Sequence, residues 1–106
     1  MNDDPPCNES SGLADPDALV RTLPIINRKG LHARATAKFV QCAEEFDAQV
    51  TVSRCGETVG GDSIMGILTL GAGIGTTITV AAKGMQAKEA LDALEALVAN
   101  RFGEDE

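Results

Sequence analysis

His32 is the only histidine in the sequence and the one side chain able to act as a nitrogen nucleophile near neutral pH. It stands in the run Asn27-Arg28-Lys29-Gly30-Leu31-His32-Ala33-Arg34-Ala35-Thr36-Ala37-Lys38-Phe39-Val40. Gly30 permits a turn, and the alanine-rich segment from Ala33 onward favours helix. A side chain at such a loop-to-helix junction faces backbone N–H groups that have no partner within the helix, at the positive end of its dipole. That is a place for an anion, phosphate above all. Arg34 adds a permanent cation whose planar fork of donors suits phosphate oxygens. Four of the nine basic residues (Arg28, Lys29, Arg34, Lys38) lie in this run, and no acidic residue intervenes between Asp17 and Glu44. The chemistry these residues suggest is phosphoryl transfer to an imidazole. A histidine attacks phosphorus only when neutral, and a helix N-terminus flanked by cations disfavours imidazolium.

The segment Gly30-Leu31-His32-Ala33-Arg34, followed by Thr36-Ala37-Lys38-Phe39-Val40, resembles the active-site segment of the HPr family. These are the histidine-containing phosphocarriers of the bacterial phosphoenolpyruvate-dependent phosphotransferase system. A second stretch, Ser63-Ile64-Met65-Gly66-Ile67-Leu68-Thr69-Leu70-Gly71, resembles the family at the expected distance. The family usually has proline after the arginine, where this chain has Ala35. The resemblance implies a relay in which enzyme I, or its nitrogen-related paralogue, phosphorylates His32 and an enzyme II A-type domain takes the group onward. It further implies phosphorylation on Nδ1, with Arg34 contacting the phosphate and no cofactor. The ending Ala99 to Glu106 resembles the nitrogen-related branch of the system, whose role is regulatory, and leaves the choice between that branch and sugar uptake open.

Composition narrows the alternatives. A chain of 106 residues accommodates one domain with a modest core. Phe39, Phe46 and Phe102 are its only aromatics, so the core is aliphatic and stacking on nucleobases has little to work with. The net charge of −7 is concentrated at the ends: residues 1–18 hold five acids and no Lys or Arg, and residues 104–106 hold three more. Between them, residues 19–103 carry nine basic and eight acidic side chains. Acidic tails disfavour nucleic acid, whose phosphates are bound through Lys and Arg. No segment approaches a membrane span, and the start of the chain lacks the basic and apolar regions of a signal peptide. Cys7, Cys42 and Cys55 form no metal-binding spacing, so no zinc set is expected and the simplest setting is reducing and cytoplasmic, with Cys42 and Cys55 inert.

The elements that must position His32 can be read in order. Residues 1–18 are polar and rich in Asp, Pro, Ser and Gly, a disordered acidic extension. An HPr-like domain over 19–103 and an acidic tail over 104–106 complete the division. Leu19 to Ile26 suits a first strand, with Pro24 placing it at a sheet edge or a bulge. A first helix spans about Ala33 to Phe46, with Ala35, Phe39, Cys42 and Phe46 on one face and Ala37, Val40 and Ala43 widening it. Ala48 to Arg54 alternates as a strand, and Thr58 to Gly60 continues after a turn. A short helix from Ser63 to Leu70 stops at Gly71, a strand covers Thr76 to Ala82, and a last helix runs from about Met85 to Phe102. The order βαββαβα, with alternating strands, predicts an α+β fold: a four-stranded antiparallel sheet covered on one face by three helices, the open-faced β-sandwich the resemblance also implies.

Ser63 has two readings. It is placed to cap the second helix, with Asp62 an alternative cap, and the resemblance implies that it is a regulatory phosphorylation site where the matching HPr kinase/phosphorylase is present. Ile64, Met65 and Leu68 offer apolar surface beyond what a two-turn helix buries, a docking patch in which Met adapts to several partners. The expected working unit is a monomer that carries a phosphoryl group and leaves catalysis largely to its partners. The competing reading is a small acylphosphatase-like enzyme that cradles phosphate with Arg21 or Arg34, and it assigns no role to His32.

Overall fold

The computed structural model describes residues 17–104. The acidic extension read at residues 1–18 lies outside them except for Asp17 and Ala18, as do Cys7 and the last two residues. Four strands, β1 (Leu19–Pro24), β2 (Gln49–Arg54), β3 (Glu57–Gly60) and β4 (Thr77–Lys83), form one antiparallel sheet in the order β1-β4-β2-β3. Pro24 ends the edge strand β1, where its missing N–H costs no ladder bond. Two helices, α1 (Ala33–Glu44) and α2 (Ile64–Thr69), connect strands, and a third, α3 (Ala87–Ala99), follows β4. This is the open-faced α+β sandwich that the pattern of the sequence predicts.

The alternation of the strands decides which face is covered. Leu23, Val50, Val52, Ile78, Val80 and Ala82 point to the helices and are buried. The register sets Thr22 opposite Thr79 and Thr79 opposite Ser53, so the open face is lined by short hydroxyl side chains. From the helices come Ala35, Phe39, Val40 and Ala43 of α1, Ile67 of α2, and Ala90, Leu91, Leu94 and Val98 of α3. Cys42 and Phe46, placed by their spacing on the inner face of α1, are only partly buried at its margin. Thr36, not expected inside, is fully buried and donates its hydroxyl to the Leu31 carbonyl at 3.3 Å. Cys42 is a free, half-buried thiol.

The C-terminus departs from the helical pattern. The apolar periodicity suggests one helix to Phe102, but α3 ends at Ala99 and Asn100 caps it. A single 3-10 turn, η1 (Arg101–Gly103), follows, in which Arg101, Phe102 and Gly103 all have left-handed backbone, with φ of 55°, 56° and 77°. Had the helix continued, Phe102 would follow the helical repeat. With the reversal its ring is still fully buried, in the same apolar cluster as Leu94 and Val98. The Lys38 ammonium of α1 then donates to the Phe102 carbonyl at 2.7 Å. Replacing Phe102 with Ala should destabilise the domain by about 3–5 kcal/mol, the usual cost of emptying a buried aromatic site. Urea unfolding would check it, and a loss below about 1 kcal/mol would show that the ring is not the anchor of this end.

Candidate functional site

Three loops meet at the start of α1. The turn after β1 begins with Asn27, fully buried, whose side-chain amide donates to the Gly30 carbonyl at 2.9 Å. Gly30 has φ of 66°, and a Cβ on it would lie 2.6 Å from the Ala72 carbonyl oxygen and 2.8 Å from the Gly73 Cα. Only glycine fits there, both for its conformation and for the close backbone. Leu31 N–H then donates to the Ala72 carbonyl at 2.9 Å, so the loop leaving α2 is bonded to the residue just before His32.

His32 is the N-cap of α1, in extended conformation, and its carbonyl accepts the first helical hydrogen bond from Thr36 N–H at 2.8 Å. Its Nδ1 accepts from the Arg34 N–H at 3.2 Å. The imidazole thus takes the place usually held by a Ser, Thr, Asp or Asn oxygen. The other ring nitrogen, Nε2, is hydrogen-bonded to the Glu104 carboxylate. A backbone N–H can only donate and an ionised carboxylate can only accept, so these partners assign the proton to Nε2 and the free lone pair to Nδ1. The ring's side chain retains 28% of its accessible surface, so it is reachable from outside.

The Glu104 carboxylate is held twice. The His32 ring hydrogen bond keeps its carboxyl below the ordinary glutamate range; the Asn27 amide, donating at 3.0 Å, and the charge of Lys29 act in the same direction against partial burial. The sequence places Glu104 in a detached acidic tail and the neighbourhood of His32 in a purely basic run. Neither holds: the left-handed turn after α3 returns the chain to the site, and a carboxylate stands against the imidazole. Asn27, Lys38 and Glu104 therefore belong to the site or its support, although only Lys38 carries any sequence signal, as a member of the basic run. The 72-residue separation of Glu104 from His32 leaves no local pattern to find.

The other expected residues fall as follows. Arg34 is exposed on the first turn of α1, and its guanidinium has no hydrogen bond or ion pair among the described residues. Ser63 is the N-cap of α2, its hydroxyl accepting from Gly66 N–H at 3.0 Å. On α2, Ile64 (40% exposed) and Met65 (72%) face outward, Leu68 is half-buried, and Ile67 is in the core. Arg21 is engaged elsewhere, bonded to Asp92 at 2.6 Å and Glu95 at 2.8 Å on α3. An open groove of about 540 Å³ between the end of α1 and the β2–β3 edge contains none of these site residues.

Comparison with known proteins gives the same picture. The model of the "PTS HPr component phosphorylation site" matches residues 19–100. The phosphocarrier protein HPr of Cupriavidus necator is 54% identical over 88 residues, 83% of this chain and 99% of that protein. The chain belongs to the HPr family of phosphocarriers. A phosphocarrier protein NPr of Shewanella violacea is 44% identical over 86 residues, covering 81% of this chain and 94% of its own. The crystal structure of HPr-C-His from Thermoanaerobacter tengcongensis superposes with a TM-score of 0.80 at 40% identity, over 83% of this chain and 99% of that one. An HPr phosphocarrier role in the phosphotransferase system follows, and the acylphosphatase alternative finds no support in these matches. With Arg21 occupied by two α3 carboxylates, one of its two candidate arginines is also committed to another task.

Two consequences can be measured. Ala35 lies in the first turn of α1, and its N–H has no acceptor among the described residues, so the proline usual in the family would remove no hydrogen bond. Ala35→Pro should change stability by no more than about 1 kcal/mol, as judged by urea unfolding. The Glu104 carboxyl, held low in the folded state, contributes stability at pH above the ordinary glutamate range, and this is lost as pH falls through its lowered titration. Carbon-detected titration of the side chain should place it below the exposed glutamates, and His32→Ala should move it upward. An unchanged Glu104 midpoint in that variant would remove the ring as the cause.

Proposed function

We propose that His32 accepts the phosphoryl group on Nδ1 from enzyme I, or a nitrogen-related paralogue of it, and surrenders it to an enzyme II A-type domain. The observation that carries this reading is the placement of a reachable imidazole as the N-cap of α1, with the Nδ1 lone pair toward the open amides of the first turn. Attack forms the Nδ1–P bond as the bond from phosphorus to the donor breaks, and the donor atom keeps that electron pair. The new phosphoryl oxygens lie toward the helix start, where the dipole and the N–H groups favour them. Arg34, with no protein partner for its guanidinium, is free to close on those oxygens.

Docking uses the outward side chains of α2. Ile64, Met65 and Leu68 give an apolar surface on the helix whose exit loop is bonded to Leu31, so the patch and the phosphoryl site move as one body. Ser63 begins that same helix. Phosphorylation there by an HPr kinase/phosphorylase would add a dianion at the edge of the patch and repel an acidic partner. The working unit is a single chain, because one chain supplies every residue of the site, and the setting is cytoplasmic, where these enzymes operate. Among the described residues no helix is long and apolar enough to cross a membrane.

The test is direct. Incubation with phosphoenolpyruvate and each candidate enzyme I should give one acid-labile phosphate per chain, mapped to His32 and abolished in His32→Ala. The enzyme I that labels fastest names the branch. Arg34→Ala should slow transfer by about ten- to a hundredfold, the equivalent of one charge-assisted hydrogen bond, with the fold intact. Label on another residue, or full labelling of the His32→Ala protein, would overturn the assignment.

A further inference from the structure

The peptide units on both sides of the His32 Cα are held by one residue. Thr36 N–H donates to the His32 carbonyl at 2.8 Å, and the Thr36 hydroxyl donates to the Leu31 carbonyl at 3.3 Å. A threonine inside a helix ordinarily turns its hydroxyl to the carbonyl four residues back. This hydroxyl reaches one residue further, to a carbonyl outside the helix. The donor is fixed by the core, because Thr36 is fully buried on the side of α1 that also buries Ala35, Phe39 and Val40.

The acceptor has no substitute. Leu31 is itself buried, and among the described residues no other donor reaches its carbonyl. The same peptide is tied through its nitrogen, where His32 N–H donates to the Gly30 carbonyl at 2.9 Å. The Leu31–His32 peptide plane is thus bonded at its oxygen and at its N–H. That plane and the next set the direction of the His32 Cα–Cβ bond, and with it the point from which the ring extends. Resting on the assignment of His32 as phosphoryl acceptor, we propose that Thr36 is a positioning residue for that transfer. Its hydroxyl locks the peptide that enters His32 and so keeps Nδ1 against the Arg34 N–H at the start of α1. Removing the hydroxyl leaves a buried carbonyl without a donor, and the peptide must turn to find one. That turn carries the imidazole off the helix start. Thr36 is wholly enclosed and meets neither phosphate nor partner, so its effect falls on the step at the ring rather than on docking.

Substitutions separate the hydroxyl from the bulk of the side chain. Thr36→Val keeps the shape and removes the donor. Labelling of His32 from phosphoenolpyruvate through enzyme I, at saturating carrier, should slow by about five- to tenfold, with the half-saturating carrier concentration within about twofold of the parent. Thr36→Ala repeats the test with the best helix former in place, and should slow labelling in the same way. Thr36→Ser keeps the donor and loses a methyl group, and should recover most of what Thr36→Val loses. The ¹⁵N–¹⁵N coupling across the hydrogen bond from the Arg34 amide to Nδ1 reads the ring's placement with no donor protein present. It should be seen in the parent and in Thr36→Ser and be lost in Thr36→Val. Backbone amide spectra of the full chain at the assay temperature verify that the variants fold.

Labelling within about twofold of the parent in both variants that lack the hydroxyl would overturn the proposal. So would equal slowing in Thr36→Ser and Thr36→Val, which would trace the loss to packing. A coupling that persists in Thr36→Val, or is absent from the parent, would overturn it as well. Slowing that appears only as a raised half-saturating concentration would place Thr36 in docking and overturn it equally. If the parent takes no label on His32, it is the carrier assignment that fails; the coupling, measured without a donor, still reports whether Thr36 sets the ring.

Discussion

The hydrogen bond from Leu31 N–H to the Ala72 carbonyl, made possible by the missing side chain at Gly30, is the constraint on which the working corner of the molecule depends. It fastens the loop before α1 to the loop after α2. Through it the His32 ring, the first turn of α1 and the apolar surface of α2 are joined in one frame. Any side chain at position 30 would press the two backbones apart, since they already lie within van der Waals contact of a hypothetical Cβ. A carrier that must present one atom to several proteins needs this rigidity more than it needs a deep cavity. Its ring is at the surface, and the enclosing walls come with each partner.

The electrostatics of the corner are modest by design. A helix N-terminus contributes roughly 0.3–1 kcal/mol to a neighbouring anion at the surface, too little to trap a phosphoryl group. A group bound much more tightly by the carrier than by the acceptor would never be passed on. The same logic accounts for an Arg34 that is exposed and uncommitted in the resting protein rather than held in an ion pair. Arg21 shows the contrast: its two carboxylates on α3 tie β1 to the helix layer, which is a structural duty.

Much of this was legible in the sequence because it rests on local rules. The period of α1, the alternation in β2 and β4, and the stop at Gly71 each reflect neighbours along the chain. His32 at a loop-to-helix junction is likewise a local pattern, and so is Ser63 before α2. What escaped has the opposite character. Glu104 meets His32 only through the tertiary fold, and Asn27 looks like any turn residue until its amide is seen between a carbonyl and a carboxylate. The end of α3 was hidden for another reason. Apolar residues continue at helical spacing through Phe102, and periodicity registers a buried ring without revealing that the backbone beneath it has reversed hand. Thr36 is missed by type: a polar residue inside a helix is not counted with its apolar face unless the carbonyl that satisfies it is known.

The reversal after α3 also bears on why the chain tolerates it. Left-handed backbone costs a non-glycine residue about 1–2 kcal/mol, and Arg101 and Phe102 both adopt it. Full burial of the Phe102 side chain returns about 1.5–3 kcal/mol. The Lys38 hydrogen bond to the Phe102 carbonyl adds about 1 kcal/mol. The terms nearly cancel, so this turn contributes little net stability to the domain. Its clearest product is positional: the chain ends its described course with a carboxylate against His32 Nε2 and the Asn27 amide. Backbone strain that packing roughly offsets, and that delivers a charged group to His32, is the pattern expected of a segment shaped by a site rather than by the fold.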